Sequence, residues 1–348
     1  MNTEHIENPF VSVVMSVYNA EPFLAESIES ILAQTYPHFE FIIVLDSGSR
    51  DNSYKVVDNF AGRDKRIRVL RVPHCGASEA LNAGIDVAKG DYIAQMEPDD
   101  IALPERFQVQ LDWMRLTSVD VCGACVKCFG DSSRILWFPE GHAAIRSDLI
   151  FRSALQPTTV IARAKVFKKN RYAEGVVFQD YELWTRLALK YRMGNVQQFL
   201  VQYRRHPEQT SQIKASQVHE DLRTYRHRYF YALYPEAKAE DYDAVANVGD
   251  GKPHKSLQEL HLAGTWLLRL ADSPDRFLRE RMAQKWLAVC QRSAHLGMAC
   301  FHLYQEIVTQ FQVPDLAKAR KLWLMCIVHA GSESGLMRLL RSLSHGMG

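Results

Sequence analysis

The chain has 348 residues, 47% of them hydrophobic, with 42 basic against 40 acidic side chains and a formal net charge of +2. That balance belongs to a folded protein of one large or two modest domains; it excludes an intrinsically disordered chain and supplies no overall electrostatic drive toward nucleic acid. The amino terminus MNTEHIENPF lacks the basic start and apolar core of a signal peptide, and no stretch reaches the roughly 18 to 20 apolar residues that span a bilayer, so a cytoplasmic protein with reduced thiols at its seven cysteines is expected.

VSVVMSV at 11–17 is an uninterrupted run rich in β-branched residues, the pattern of a strand buried on both faces of a parallel sheet. Phe23, Leu24, Ser27, Ile28, Ile31 and Leu32 then share one face at helical spacing, with Pro22 in the first turn. FEFIIVL (39–45) is the second strand. SGSRDNS supplies turn and capping residues, 54–60 reads as a helix, IRVLRV (67–72) as the third strand, 78–88 as a helix and DYIAQM (91–96) as the fourth strand. VDVCGACVKCFG (119–130) reads as a further strand, which turns Cys125 away from Cys122 and Cys128. No matching Cys or His pair follows at zinc-site spacing, so these three are expected to be buried small hydrophobes.

Strands alternating with single helices predict a doubly wound α/β sheet. Neither GxGxxG nor GxxxxGK[ST] occurs, so the dinucleotide and P-loop fingerprints are absent. Beyond residue 215 the texture is amphipathic helix alone, as in LQELHLAGTWLLRL (257–270), which divides the chain into a catalytic domain at 1–215 and an α-helical domain at 216–348. The helical region as a whole, with Trp266, Trp286 and Trp323, is expected to brace the first domain or to form an oligomer interface. The last segment, SGLMRLLRSLSHGMG, sets Leu336, Leu339, Leu340 and Leu343 on one face bordered by Arg338 and Arg341, suited to ordinary packing, a homo-oligomer contact or a membrane surface.

In an open parallel sheet, ligands bind outside the carboxyl ends of the strands, here just after residues 17, 45, 72 and 96. Ser16, Tyr18 and Asn19 close the first strand, Asp46 the second, and Glu97, Asp99 and Asp100 of MEPDD the fourth. Carboxylates gathered on one rim repel one another and call for a cation. All-oxygen ligands suit Mg²⁺ or Mn²⁺, which bind through one or two carboxylates and a substrate phosphate. The alternative for Asp99 or Asp100 is a cap on a helix starting near Pro104; for Asp46 it is a turn residue in DSGS, and for Asp180 a helix N-cap.

Taken in order, VSVVMSVYNAEPFLAESIESILAQTYPHFEFIIVLDSGSRDNS, GASEALNAGIDVAKGDYIAQMEPDDIALPERF, QPTTVIARAKVF (156–167), FQDYELWTRLA (178–188) and YRRHPEQTS (203–211) resemble the family-2 glycosyltransferases over roughly residues 9–212. Those are inverting enzymes of the GT-A fold. The resemblance implies an α/β chain with a GT-A doubly wound mixed sheet, of the nucleotide-diphospho-sugar transferase type, and an appended C-terminal α-helical region. It implies that Ser16, Val17 and Tyr18 line the base and ribose pocket of a UDP-sugar or dTDP-sugar, and that Asp46 accepts a hydrogen bond from the ring N–H of uracil or thymine. Glu97 would approach the ribose or a metal-bound water, Asp99 would hold Mn²⁺ or Mg²⁺, and Asn82 and Asp91 would support this shell. His206 would complete the metal shell, pair with phosphate or order its loop, with Arg204 and Arg205 as diphosphate partners. Asp180 would be the base that deprotonates the acceptor hydroxyl.

Two positions depart from the family's pattern. Glu97 stands where the first acid is usually Asp, and Gln179 stands where a Glu usually precedes the base. A neutral Gln179 removes a like charge beside Asp180 and is expected to lower that carboxyl's pKa. The implied reaction is metal-dependent inverting transfer to a hydroxyl of a glycan or lipid-linked acceptor, in cell-surface polysaccharide synthesis at the inner face of the membrane. Two other readings stay open: a nucleotide-sugar-binding or scaffolding protein without turnover, and a nucleotidyltransferase, which would release diphosphate from a nucleoside triphosphate.

Overall fold

The structure is a computed structural model and describes residues 8–313 and 319–328. The chain divides into two compact units, one of residues 1–149 and 153–226, the other of 150–152 and 227–348. The first unit therefore runs past the boundary expected at 215.

The first unit opens with strand β1 (Val11–Val17), helix α1 (Glu21–Leu32), β2 (Phe39–Asp46), α2 (Ser53–Ala61), β3 (Ile67–Val72), α3 (Ala77–Val87) and β4 (Tyr92–Gln95). Every expected strand and helix of this stretch is present, within a residue or two of its expected ends. β5 (Ile101–Ala102), α4 (Arg106–Thr117), β6 (Val121–Gly130), β7 (Ile135–Leu136), α5 (His142–Asp148), β8 (Ile161–Arg163), α6 (Ala164–Lys169), α7 (Gln179–Leu187), β9 (Met193–Arg205) and α8 (Thr210–Ile213) follow, and α9 (Ala215–Leu233) runs on from them. Among the described residues these strands form one sheet in the order β3-β2-β1-β4-β8-β6-β9-β5, with β7 on β6.

β1, β2, β3 and β4 are mutually parallel, in the register Val11↔Phe39 and Val11↔Tyr92. β8 is antiparallel to both β4 and β6, so the sheet is mixed, as expected. The runs in β1 and β2 are buried on both faces, by α1 on one side and α3 on the other; Gly84 of α3 lies so close to Val14 and Val44 that a Cβ there would overlap them. Cys122, Cys125 and Cys128 are free and buried on the two faces of β6, as expected of small hydrophobes, and burial pushes the Cys122 thiol up to about 12.

The second unit is helical: α10 (Ala239–Gly249), α11 (Leu257–Leu270), α12 (Arg276–Arg292), α13 (Met298–Val308) and α14 (Ala319–Ile327). Ser256 caps α11 by accepting from the N–H of Glu259, and Asp275 caps α12 by accepting from Phe277 and Leu278. Trp266 and Trp286 are buried, whereas Trp323 is exposed. No helix among the described residues is long and apolar enough to cross a membrane. The amphipathic segment 334–348 lies outside the described residues.

Candidate active site

The carboxyl ends of β1, β2 and β4 form one rim, with β1 between the other two. Asp46, the last residue of β2, is 3% exposed, and its carboxylate accepts from the backbone N–H of Gly48 at 2.7 Å and of Cys75 at 3.1 Å. His74 Nδ1 lies 3.0 and 3.2 Å from the two carboxylate oxygens. Burial by itself raises the Asp46 pKa, but these donors together outweigh it and hold the carboxyl below its ordinary value. Asp46 thus orders the DSGS turn and also faces the rim.

Ser16 and Val17 end β1. Tyr18 follows, with its ring stacked on His74 at 5.3 Å and an interplanar angle of 26°. Asn19 takes a positive φ of 48°, and its side chain accepts from the N–H of Arg50 at 2.7 Å. Ala20 donates to Ser53 and Glu21 to Asp51, so the loops after β1 and β2 are stitched together. A loop tied at several points presents its ligand-facing groups already ordered.

The turn after β4 is pinned from three elements. Ser27 of α1 donates to the carbonyl of Glu97, and the N–H of Glu97 lies 3.4 Å from the Thr158 hydroxyl. From the end of β9, Arg204 donates through its backbone to Asp100 Oδ1 at 2.8 Å and through Nε to the carbonyl of Asp99 at 2.8 Å. The Arg204 guanidinium also pairs with Glu26 and lies between the rings of Phe23 and Phe129. It therefore helps to hold the turn, with Nε on the Asp99 carbonyl and one terminal nitrogen on Glu26. Neither Asp99 nor Asp100 caps α4, whose N-cap is Glu105.

His206 Nε2 lies 3.1 Å from Asp99 Oδ2, and its ring rests on Phe23 with centroids 4.9 Å apart. Burial, then the neighbouring Asp99 and Asp180, raise the Glu97 carboxyl to about 7, with Gln95 opposing. Asp100 is also pushed well up, by burial and then by Asp99, and its Oδ2 is buried without a hydrogen-bond partner. The turn is thus short of positive charge. Its donors are carboxylates plus one imidazole, a set that suits a hard divalent cation. Among the described residues no three His, Cys, Asp or Glu side chains converge as ligands.

Asp180 lies in the first turn of α7, 8% exposed, behind Phe178 as N-cap. It is therefore not the cap itself. The N–H groups of Val177 and Phe178 donate to Asp221 at 2.9 and 2.8 Å, which fixes the start of the helix. Burial raises the Asp180 carboxyl to about 6, against hydrogen bonds from the backbone at 180 and 181. The expected lowering from Gln179 is thus overridden by desolvation. Tyr172 stands beside both acids: burial, then Asp180, then Glu97 push its phenol well up. Its hydroxyl donates to Gln95 Oε1 at 2.6 Å, and Gln95 Nε2 donates to Glu97 at 2.9 Å. No sequence motif had singled out Tyr172 or Gln95; a polar residue facing inward from β4 was the available signal.

Asn82 does not line the rim. It brackets Tyr172, donating to its carbonyl at 2.9 Å and accepting from its N–H at 3.0 Å, and supports the site from behind. Asp91 is corrected outright. It precedes β4 at the amino end and accepts from the N–H of Phe10 at 2.8 Å, so the length of the strand, about 13 Å, separates it from the rim.

The sequence profile of glycosyl transferase family 2 matches residues 12–170. An uncharacterized glycosyltransferase of Methanocaldococcus jannaschii is 33% identical over 208 residues, 57% of this chain and 72% of that protein. The O-antigen biosynthesis glycosyltransferase WbnJ of Escherichia coli is 28% identical over 207 residues, 58% of this chain and 81% of that one. Among solved structures, TarS 1–349 of S. aureus in complex with UDP-GlcNAc superposes with a TM-score of 0.57 at 16% identity, covering 87% of this chain and 91% of that one, which shows a shared fold. A GT-A sheet with its acids on the carboxyl rim, together with these relatives, establishes that the chain is a glycosyltransferase and belongs to glycosyl transferase family 2.

Proposed function

We propose that this glycosyltransferase moves a sugar from a UDP-sugar, or a dTDP-sugar, to a hydroxyl of a glycan or lipid-linked acceptor, with inversion at the anomeric carbon. The observation that carries this reading is the pairing of two unlike acids at the rim: Asp46 held ionised beside a stacked aromatic ring, and Asp180 buried and raised beside Glu97.

A carboxylate only accepts hydrogen bonds, so Asp46 selects a base that presents a ring N–H, as uracil and thymine do, and Tyr18 offers that base a stacking face. Ser16 and Val17 border the same pocket, and Glu97 faces the ribose side. Asp99, with His206 beside it, would hold Mn²⁺ or Mg²⁺. When bound, such an ion neutralises charge developing on a departing diphosphate. Arg204 keeps Asp99 and Asp100 in place through their carbonyl and carboxylate. Asp180 takes the proton of the attacking hydroxyl at its carboxylate. A positioned base typically contributes about 10²- to 10⁴-fold. A relative that carries the name of an O-antigen biosynthesis enzyme supports assigning the reaction to surface polysaccharide synthesis.

The test is release of a nucleoside diphosphate from UDP-sugars by the full chain with Mn²⁺ and after chelation. Release that requires the ion, and that D99N lowers by roughly a hundredfold, is expected. Equal release after chelation would remove the metal from the proposal. Binding without release would return the chain to the non-catalytic reading.

A further inference from the structure

His74 lies on the loop between β3 and α3, and no motif marked it. We propose that its imidazole is a resident stand-in for the nucleobase: it occupies the slot between Tyr18 and Asp46, and the donor's base must displace it. The inference rests on reading Asp46 and Tyr18 as the base pocket.

The imidazole does the two things that reading asks of a pyrimidine. It is a flat ring stacked on Tyr18, 5.3 Å between centroids and 26° between planes. It also sets a ring nitrogen 3.0 and 3.2 Å from the two oxygens of Asp46; since a carboxylate accepts only, Nδ1 carries the proton. Gly48 donates its backbone N–H to one oxygen and Cys75 to the other, and a ring donor would approach the carboxylate within reach of both oxygens. The histidine takes that approach. A base cannot donate there while it stays.

The stack is not core packing. Tyr18 is 49% exposed and the His74 side chain 64%, so the imidazole can rotate out without uncovering buried apolar surface. The space it occupies is provided by Gly48, where a Cβ would collide with the imidazole. The consequence is a competition within the chain: apparent donor affinity is the intrinsic affinity reduced by the fraction of molecules with the slot open.

Titration calorimetry of UDP into the full chain with Mn²⁺ tests this. H74A is expected to bind UDP about tenfold more tightly than the parent chain. H74F, which keeps a ring but loses the N–H, should fall between them, and D46N should abolish binding. In the proton spectrum, the His74 ring resonance should lose its Tyr18 ring-current shift when UDP is added. Equal or weaker UDP binding by H74A, with D46N still abolishing it, overturns the inference and leaves the base pocket standing. Identical affinities for the parent chain, H74A and D46N overturn both.

Discussion

At the base end of the rim, Asp46 is buried yet kept ionised, because two backbone N–H groups and an imidazole already face it. At the transfer end, Asp100 and Asp180 are buried and Glu97 partly so, and their carboxyls are pushed up, because burial and their neighbours oppose charge and the protein supplies few donors. The same residue type has been finished at one end and left wanting at the other. A group whose partners are built in orients a ligand; a group left short of partners is stabilised when a cation or a proton arrives, which is what transfer chemistry requires of it.

The largest effect that would break this contrast is at Asp180. D180N should lower kcat by about 10²- to 10⁴-fold while leaving UDP binding intact, measured by single-turnover transfer and by titration. It should also stabilise the fold. The Asp180 pKa is raised from 3.8 to about 6 in the folded chain, so stability falls as pH rises between those values, and the ionised form costs on the order of 2 to 3 kcal/mol above pH 6. The neutral amide escapes that cost, so a melting curve at pH 7.5 should shift up by several degrees. A drop in both activity and melting temperature would show that Asp180 is a structural residue.

A smaller effect sharpens the contrast through pH. The base must be ionised to accept a proton, so kcat should fall about tenfold for each unit below pH 6. The hydrogen bond that Asp46 offers the base should hold over that range, since its carboxyl lies below its ordinary value. The smallest effect is at Asp91, a carboxylate away from both ends. D91A should leave kcat and KM unchanged and cost about 1 kcal/mol, the worth of its bond to the N–H of Phe10, in a denaturant melt.

The parallel half of the sheet was legible because β1, β2 and β3 are dense β-branched runs broken by turn residues, and helical spacing in α1 and α3 leaves little freedom. In the mixed half β6 was legible as a run rich in Val and Cys, and the rest only through resemblance. β8 has three residues and no alternation, and its reversed direction is set by its antiparallel pairing with β4 and β6. Asp91 was misassigned because a motif gives a residue's place in the chain, while strand polarity decides which end of the sheet it reaches. A basic residue beside a catalytic loop looks free in sequence, and only the fold reveals Phe23, Phe129, Glu26 and the Asp99 carbonyl around Arg204. Gln95 and Tyr172 act through a hydrogen-bonded chain between β4 and the loop before α7, a juxtaposition no local pattern encodes.

Asp221, which receives the two N–H groups ahead of α7, comes from α9, beyond the last recognisable motif. A shortened protein ending at 215 would retain all the sequence signatures of a transferase and yet begin its catalytic helix with two orphaned donors. Anyone trimming this enzyme for crystallisation or fusion should cut after the compact unit's edge at Arg226, even though the homology ends sooner.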